Sequence, residues 1–266
     1  MFDKPLAIFR RDAKLAFSYP LWFALQWVGI AASATGLFFV SKIVPPSANF
    51  GFNGTSASYF EFAVVNVAFL TFQTASLASF DNAIRDDQVR GTLEATFVTP
   101  TSVRVIVLSS ALWAFSITLL NVLCYLAIGS LFGLHLAHLN VIASIVLVLL
   151  TITATVPIGI LSAAGVMVLK QGAPVQYLFN LCASLLAGVL FPVTVLPHWL
   201  QLFSWLLPTT HALHGIRGAL HGATFGQLSP DILWLSVISI VLLPFALWVF
   251  GCAVVRAKHD GTLAHY

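Results

Sequence analysis

Apolar residues in this chain come in long unbroken runs, at 21–43, 59–80, 103–132, 139–169, 175–195 and 232–255. A helix rising 1.5 Å per residue needs about 20 apolar residues to cross the hydrocarbon of a bilayer. The runs reach that length and lack the strict alternation of barrel strands, which predicts six transmembrane helices in an all-α integral membrane protein. Between the fifth and sixth runs lies "PHWLQLFSWLLPTTHALHGIRGALHG", whose apolar piece at 198–207 is too short to cross before Pro208 interrupts it. Two short re-entrant helices over 197–221, dipping into the outer leaflet, are expected there. Ahead of the first run, "FDKPLAIFRRDAKLAFSYP" sets Leu6, Phe9, Ala13 and Phe17 on one helical face, with Lys4, Arg11, Asp12 and Lys14 around the rest. That pattern predicts an amphipathic helix over 2–19 lying in the membrane interface, with Arg10 snorkelling to water. With no internal repeat and no Gly/Ser linker, 1–266 reads as one membrane domain.

Composition supports the membrane assignment and adds an orientation. The chain is 59% hydrophobic and 8% charged, with a mean hydropathy of +0.95, too few polar groups to cover a surface facing water. Lys4, Arg10, Arg11, Lys14, Arg85, Arg90, Arg104, Lys170, Arg256 and Lys258 all fall on one side of a six-span arrangement, leaving Lys42 and Arg217 opposite. Both termini are therefore expected in the cytoplasm. A seventh span at 198–220 would send Arg256 and Lys258 outside and bury Arg217. The first run exceeds a secretory h-region, so it reads as a retained span. The net charge of +3, with no basic block longer than Arg10 and Arg11, points away from nucleic acid.

The chain carries no phosphate loop, no G-x-S-x-G elbow and no H-E-x-x-H, so no catalytic residue is assigned. Glu61 and Asp81 sit at the two ends of the second span, and no span centre holds an ionisable residue, unlike the usual ion-coupled transporter. Neutral polar residues do recur at helical spacing: Asn66 and Gln73, with Ser76 nearby, in the second span, and Gln176, Asn180 and Ser184 in the fifth. Such stripes serve either interhelical hydrogen bonding, at about 0.6 kcal/mol per contact, or the wall of a path for a partly polar substrate. Pro157 and Pro244 are expected to kink the fourth and sixth spans, and Gly159 with Ala163 to form a small-residue packing face. Cys124, Cys182 and Cys252 stand in apolar runs without C-x-x-C spacing and read as small buried hydrophobes. Six of the eight histidines fall on the expected outer side. His211 and His214 are spaced as a metal pair could be, but no outer cysteine completes a set; with Trp199 and Trp205 they read as interfacial anchors, and no metal site is assigned.

One stretch breaks the apolar pattern. In "RDDQVRGTLEATFVTP", at 85–100, Arg85, Asp86, Asp87, Arg90 and Glu94 put five charges into ten residues. Each would cost about 2.5–3.5 kcal/mol at mid-membrane, so the stretch belongs in cytoplasmic water or against protein. Gly91 breaks the chain, Thr92 can cap a helix, Glu94 suits its first turn and Pro100 stops it. The expected product is a helix of about two turns with Leu93 and Phe97 on one face.

"VRGTLEATFVTPTSVRVIVLSSALW" resembles the stretch after the second span in permease subunits of ABC-2 type exporters, where a charged run leads into G-T-L-E and then T-P. "FPVTVLPHWLQLFSWLLPTTHALHGIRGAL" is similar to the outer region of that family, with Phe191, Pro192, Pro197, Pro208 and Arg217 in the expected order. The resemblance implies a second copy as partner, forming a homodimer through spans one and five. It also implies two separate ATPase subunits, which would hold ATP and Mg, since this chain has no cofactor of its own. Arg90, Gly91, Thr92, Leu93, Glu94 and Phe97 would then form the coupling helix seated on the ATPase. Asn66, Gln73, Gln176, Asn180 and Ser184 would line the path, and Phe191, Pro192, Pro208 and Arg217 the outer gate. The implied location is a prokaryotic inner membrane, and the implied cargo amphipathic, lipid-like, drug-like or a lipid-linked glycan. An ATP-independent carrier or channel using the same stripes is the alternative; it needs no ATPase and tolerates mutation at 90–97.

Overall fold

The computed structural model describes residues 9, 10, 13, 14, 18, 20–45, 57–89, 103–134, 139–169 and 174–259. Among them the secondary structure is entirely helical: α1 (Pro20–Ser41), α2 (Tyr59–Val89), α3 (Val103–Leu131), α4 (Val141–Leu169), α5 (Pro174–Leu186), α6 (His198–Leu206), α7 (Pro208–Leu220) and α8 (Phe225–His259), with one 3-10 turn at Val193–Val195. Five of these, α1, α2, α3, α4 and α8, are long and apolar enough to cross a membrane.

Helix ends follow local chemistry. Ser58 and Glu61 form a reciprocal capping box at the start of α2, each side chain accepting from the other's backbone N–H at 3.2 Å. No Gly or Pro occurs from Tyr59 to Val89. The helix therefore runs on past the predicted end at 80 and takes in Arg85, Asp86 and Asp87 of the charged stretch. Asn140 caps α4 by accepting from Ala143 N–H at 3.1 Å, and its own N–H donates to the Ala219 carbonyl at the end of α7 at 2.9 Å. Gly133 closes α3 and Gly222 closes α7 in the left-handed region; in each case an N–H one residue beyond bonds back five residues, as a Schellman turn requires.

Two segments differ in length from the sequence reading. The predicted fifth span at 175–195 is helical over Pro174–Leu186, because Gly188 takes a φ of +76° and Pro192 has no N–H to continue a helix. At 1.5 Å per residue α5 rises about 20 Å, less than the hydrocarbon thickness. The last helix begins at Phe225 rather than 232. The side chain of Gln227 accepts from Thr224 N–H at 3.0 Å. Pro230 cannot reach back to the Gly226 carbonyl, and the Ser229 hydroxyl donates to that carbonyl instead at 2.8 Å.

Helix α2 is the spine of the bundle, with 67% of its apolar window buried, and α1 is peripheral, with 11%. It packs on α3 and α4, α4 packs on α8, and α7 wedges between α4 and α8. One core joins Phe69 of α2, Leu147 of α4, Leu213 of α7, Leu228 and Leu235 of α8, and Val189 after α5. A second core joins α4 and α8 beside the two helix prolines, where Ala163 and Ala164 face Ala246 and Phe250. Gly159 is buried as well, so the expected small-residue face is a packing face. None of the three cysteines is fully buried and Cys252 is exposed. Of the predicted interface helix, residues 9, 10, 13 and 14 are helical. Phe9, on its apolar face, meets the ring of Trp113 on α3 edge-on, with centroids 5.3 Å apart.

The chain's exterior is apolar. Leu21, Leu25 and Val28 on α1, Trp199, Leu202 and Phe203 on α6, and Ile240, Val241 and Trp248 on α8 are all exposed. A soluble domain does not leave so many large apolar side chains facing water.

Candidate functional site

The predicted outer stretch folds as a pair of short helices meeting at Leu207, with Pro208 at the first position of α7, where its missing N–H costs nothing. Ser204 of α6 donates to the Leu186 carbonyl at the end of α5, and Thr210 of α7 donates to the Ser204 carbonyl. Side-chain hydroxyls thus tie α6 to α5 and α7 to α6 through carbonyls at helix ends.

The strongest electrostatic feature is Arg217, in the last turn of α7. Its Nε donates to Asn66 Oδ1 at 2.9 Å, and one terminal nitrogen reaches the same oxygen. That terminal nitrogen also donates to the Gly188 carbonyl at 2.6 Å. The guanidinium lies over the Phe62 ring, 4.3 Å from its centroid, an arrangement in which the ring's negative face attracts the cation. Asn66 completes the node by donating from Nδ2 to the Val189 carbonyl at 2.8 Å. A guanidinium keeps its charge at any cellular pH, so it needs these acceptors once it leaves water. Sequence reasoning put Asn66 on a path and Arg217 in a gate; the fold bonds them directly. Gly188 and Val189, at the break after α5, enter the same node, and Phe191 and Pro192 follow it, both half-buried. Pro208 is buried.

The polar stripe of α2 turns inward. Asn66 is 1% and Gln73 0% exposed. Asn66 is spent on Arg217 and Val189, whereas both amide atoms of Gln73 are buried without a hydrogen-bond partner among the described residues. The stripe of α5 differs: Gln176, Asn180 and Ser184 are half-buried beside exposed Tyr177, Leu178 and Leu181. Asn180 Oδ1 lacks a partner, and Ser184 donates to its own helix at Leu181. The coupling residues Arg90, Gly91, Thr92, Leu93, Glu94 and Phe97 lie outside the described residues; α2 leads to the edge of that segment.

A second cluster joins α7 to α8. His211 Nδ1 and His214 Nδ1 each lie 2.8 Å from a different oxygen of the Asp231 carboxylate. His211 Nε2 lies 2.9 Å from the Trp205 carbonyl of α6. The sequence reading weighed both histidines and missed Asp231. A signal was present, since Asp231 is the only acid between Glu94 and Asp260; the predicted helix start at 232 left it in a connection, one residue short of the helix that carries it. Among the described residues no group of three or more His, Cys, Asp or Glu side chains is arranged to hold a metal ion.

Long apolar helices, an apolar exterior and a buried polar node together define a multi-pass α-helical membrane protein. Residues 7–221 match the ABC-2 type transporter family, and the chain belongs to that family. It is a membrane permease of an ABC-type transporter. A search of curated proteins returns no match. The family match ends at His221, so α8 lies beyond the matched residues.

Proposed function

We propose that two copies of this chain form the pathway of an ATP-driven exporter, powered by two separate ATPase subunits that bind ATP and Mg. The observation that carries the reading beyond family membership is the continuity of α2. This single helix, buried over Tyr59–Ser79, runs from Asn66, latched to α7 and to the break after α5, down to Val89 at the edge of the charged stretch. Those 23 steps span about 35 Å. An ATPase pressing on 90–97 tilts or shifts α2 as a rod, and the Asn66–Arg217 bonds pass that motion to the α6–α7 pair and to Phe191 and Pro192. In this arrangement α5 and the buried turn after it complete a sixth crossing. The α6–α7 pair caps the outer end, and both termini face the cytoplasm of a prokaryotic cell.

Cargo class follows from what the helices offer. No ionisable side chain stands at a span centre, while Gln73, Gln176, Asn180 and Ser184 supply amides and a hydroxyl among aromatic and aliphatic neighbours. This suits an amphipathic, lipid-like or drug-like molecule or a lipid-linked glycan better than an ion. Exposed Leu21, Leu25 and Val28 on α1 and Tyr177, Leu178 and Leu181 on α5 supply apolar faces for the second copy.

The test is co-purification with the ATPase encoded beside this gene, followed by measurement of ATP turnover. Wild type is expected to assemble and to stimulate turnover, and the double variant Leu93→Asp with Glu94→Arg to lose both. Equal assembly and turnover by the two proteins would remove 90–97 from the coupling role and favour a carrier that needs no ATPase.

A further inference from the structure

We propose that His211, His214 and Asp231 form a proton-binding site, and that the arrangement seen is its loaded form, clasping α6 to α7 and α8. The inference rests on a count of hydrogen-bond donors. A neutral imidazole has one N–H, whereas an ionised carboxylate and a backbone carbonyl only accept. His214 spends its N–H on Asp231 Oδ2. His211 faces an acceptor at both ends, Asp231 Oδ1 at Nδ1 and the Trp205 carbonyl at Nε2. Two neutral imidazoles and a carboxylate bring two protons to these three contacts. The third proton makes His211 an imidazolium, and the carboxylate that accepts from both rings stays ionised.

The surroundings fit a cation at His211. The rings of Trp205 and Trp234 lie 5.3 and 5.5 Å from the His211 ring, centroid to centroid, and indole faces attract positive charge. Asp231 is 3% exposed, so its charge needs a nearby counter-charge. Gly215 makes the approach of the helices feasible: a Cβ there would stand 2.8 Å from Leu147 Cδ2 and 3.5 Å from Asp231 Cβ. Among the described residues, the charged groups of neighbouring elements have other partners or stand elsewhere on their helices. Arg217 faces Asn66 and Gly188, Glu61 of α2 belongs to the Ser58 capping box, and His221 bonds the Arg217 carbonyl. On α6, His198 stands at the opposite end of the helix; α4 and α5 carry no charged residue, and α8 carries none between Asp231 and Arg256.

Unloading breaks one N–H bond of His211: the proton passes to water, the electron pair stays on the ring nitrogen, and no other covalent bond changes. The net charge of the cluster falls by one, and one His211 nitrogen is left with a lone pair facing an oxygen. The charge-assisted bond to Asp231 is the stronger of the two, so the Trp205 carbonyl is the partner released. The C-terminal end of α6 then loses its tie through His211 to Asp231 of α8, and the Thr210 bond to the Ser204 carbonyl still holds it to α7. An effect of this release on cargo exit rests on the exporter reading above; the clasp itself does not.

The experiment is nitrogen-15 NMR of the histidine-labelled full chain in lipid nanodiscs, titrated from mildly acidic to mildly alkaline pH with tryptophan emission followed in parallel. The His211 signals are assigned by their loss in His211→Asn, and the Trp205 component by its loss in Trp205→Phe. Expected is one step in which the His211 Nε2 proton signal and the Trp205 emission change together, displaced to more acid pH in Asp231→Asn. A step unmoved in Asp231→Asn, or a His211 step that Trp205 does not follow, overturns the proposal. Should Asp231→Asn fail to fold, the coincidence of the two signals in wild type decides. Because the isolated chain is measured, failure of ATPase assembly leaves this result unaffected.

Discussion

Arg217 and Asn66 stand 151 residues apart in the chain, yet two guanidinium N–H groups converge on the one side-chain carbonyl of Asn66. The bond joins the bundle's most buried long helix to the short helix α7, and through Gly188 and Val189 it takes in the break after α5. Three elements therefore share one polar node in a mostly apolar interior, where such a node is costly to leave half-made.

Asn66→Leu removes the acceptor and leaves the guanidinium short of a partner, and is expected to destabilise by about 2–3 kcal/mol. Arg217→Met removes the charge itself and is expected to cost less. The double variant should fall short of the sum by about 1–2 kcal/mol, since the residues touch. Thermal unfolding of the four proteins in one detergent gives the cycle; strict additivity would mean that the bond couples nothing.

Gly188 supplies the positive φ that ends α5 and aims its carbonyl at Arg217. Gly188→Ala would carry the strain of a left-handed residue and set its methyl 2.9 Å from Val193 Cγ2. A loss of about 1–2 kcal/mol is expected, read as a lower melting temperature. Gly36→Ala, with nothing within 4 Å of its added methyl, serves as the comparison and should leave the isolated chain unchanged.

Gln73 separates stability from transport. Both amide atoms are buried and unpaired among the described residues, so Gln73→Leu is expected to leave stability unchanged or raise it by about 1–2 kcal/mol. If the amide contacts cargo, the same variant slows ATP-driven efflux from proteoliposomes while assembly with the ATPase persists. A normal efflux rate would take Gln73 off the path.

The capping box at the start of α2 lies on the side of Asn66 away from the charged stretch. Ser58→Ala removes the oxygen that accepts from Glu61 N–H, and should cost about 1 kcal/mol in the same unfolding assay. Hydrogen exchange at 59–62 should rise, with protection at Gln73 and beyond unchanged.

Much of this architecture was legible before any coordinates. The apolar runs mark the five long helices, and the stretch 197–221 announced two short ones, because Pro208 interrupts an apolar piece too short to cross. Helices α2 and α8 extend beyond their apolar runs for related reasons. Hydropathy stops at Phe80 and starts at Ile232, but backbone hydrogen bonding does not follow hydropathy, so α2 carries charged residues beyond Phe80 and α8 carries Asp231 in its first turns. The fifth run holds a helix shorter than its apolar stretch, because the apolar residues continue past Gly188 and apolarity does not report a positive φ.

What the sequence determined by itself was everything governed by local composition: membrane residence, helical class, the asymmetry of basic residues, and the single charged stretch at 85–100. These follow from transfer energies and backbone preferences summed over neighbours in the chain. What only the tertiary structure decided was which polar groups meet. The sequence shows Asn66, Gln73, Arg217, His211 and Asp231 as isolated polar residues in apolar surroundings. How the helices cross then bonds Asn66 to Arg217, closes both histidines on Asp231, and leaves Gln73 unpaired, because a hydrogen bond depends on ångström distances between segments that sequence spacing does not set.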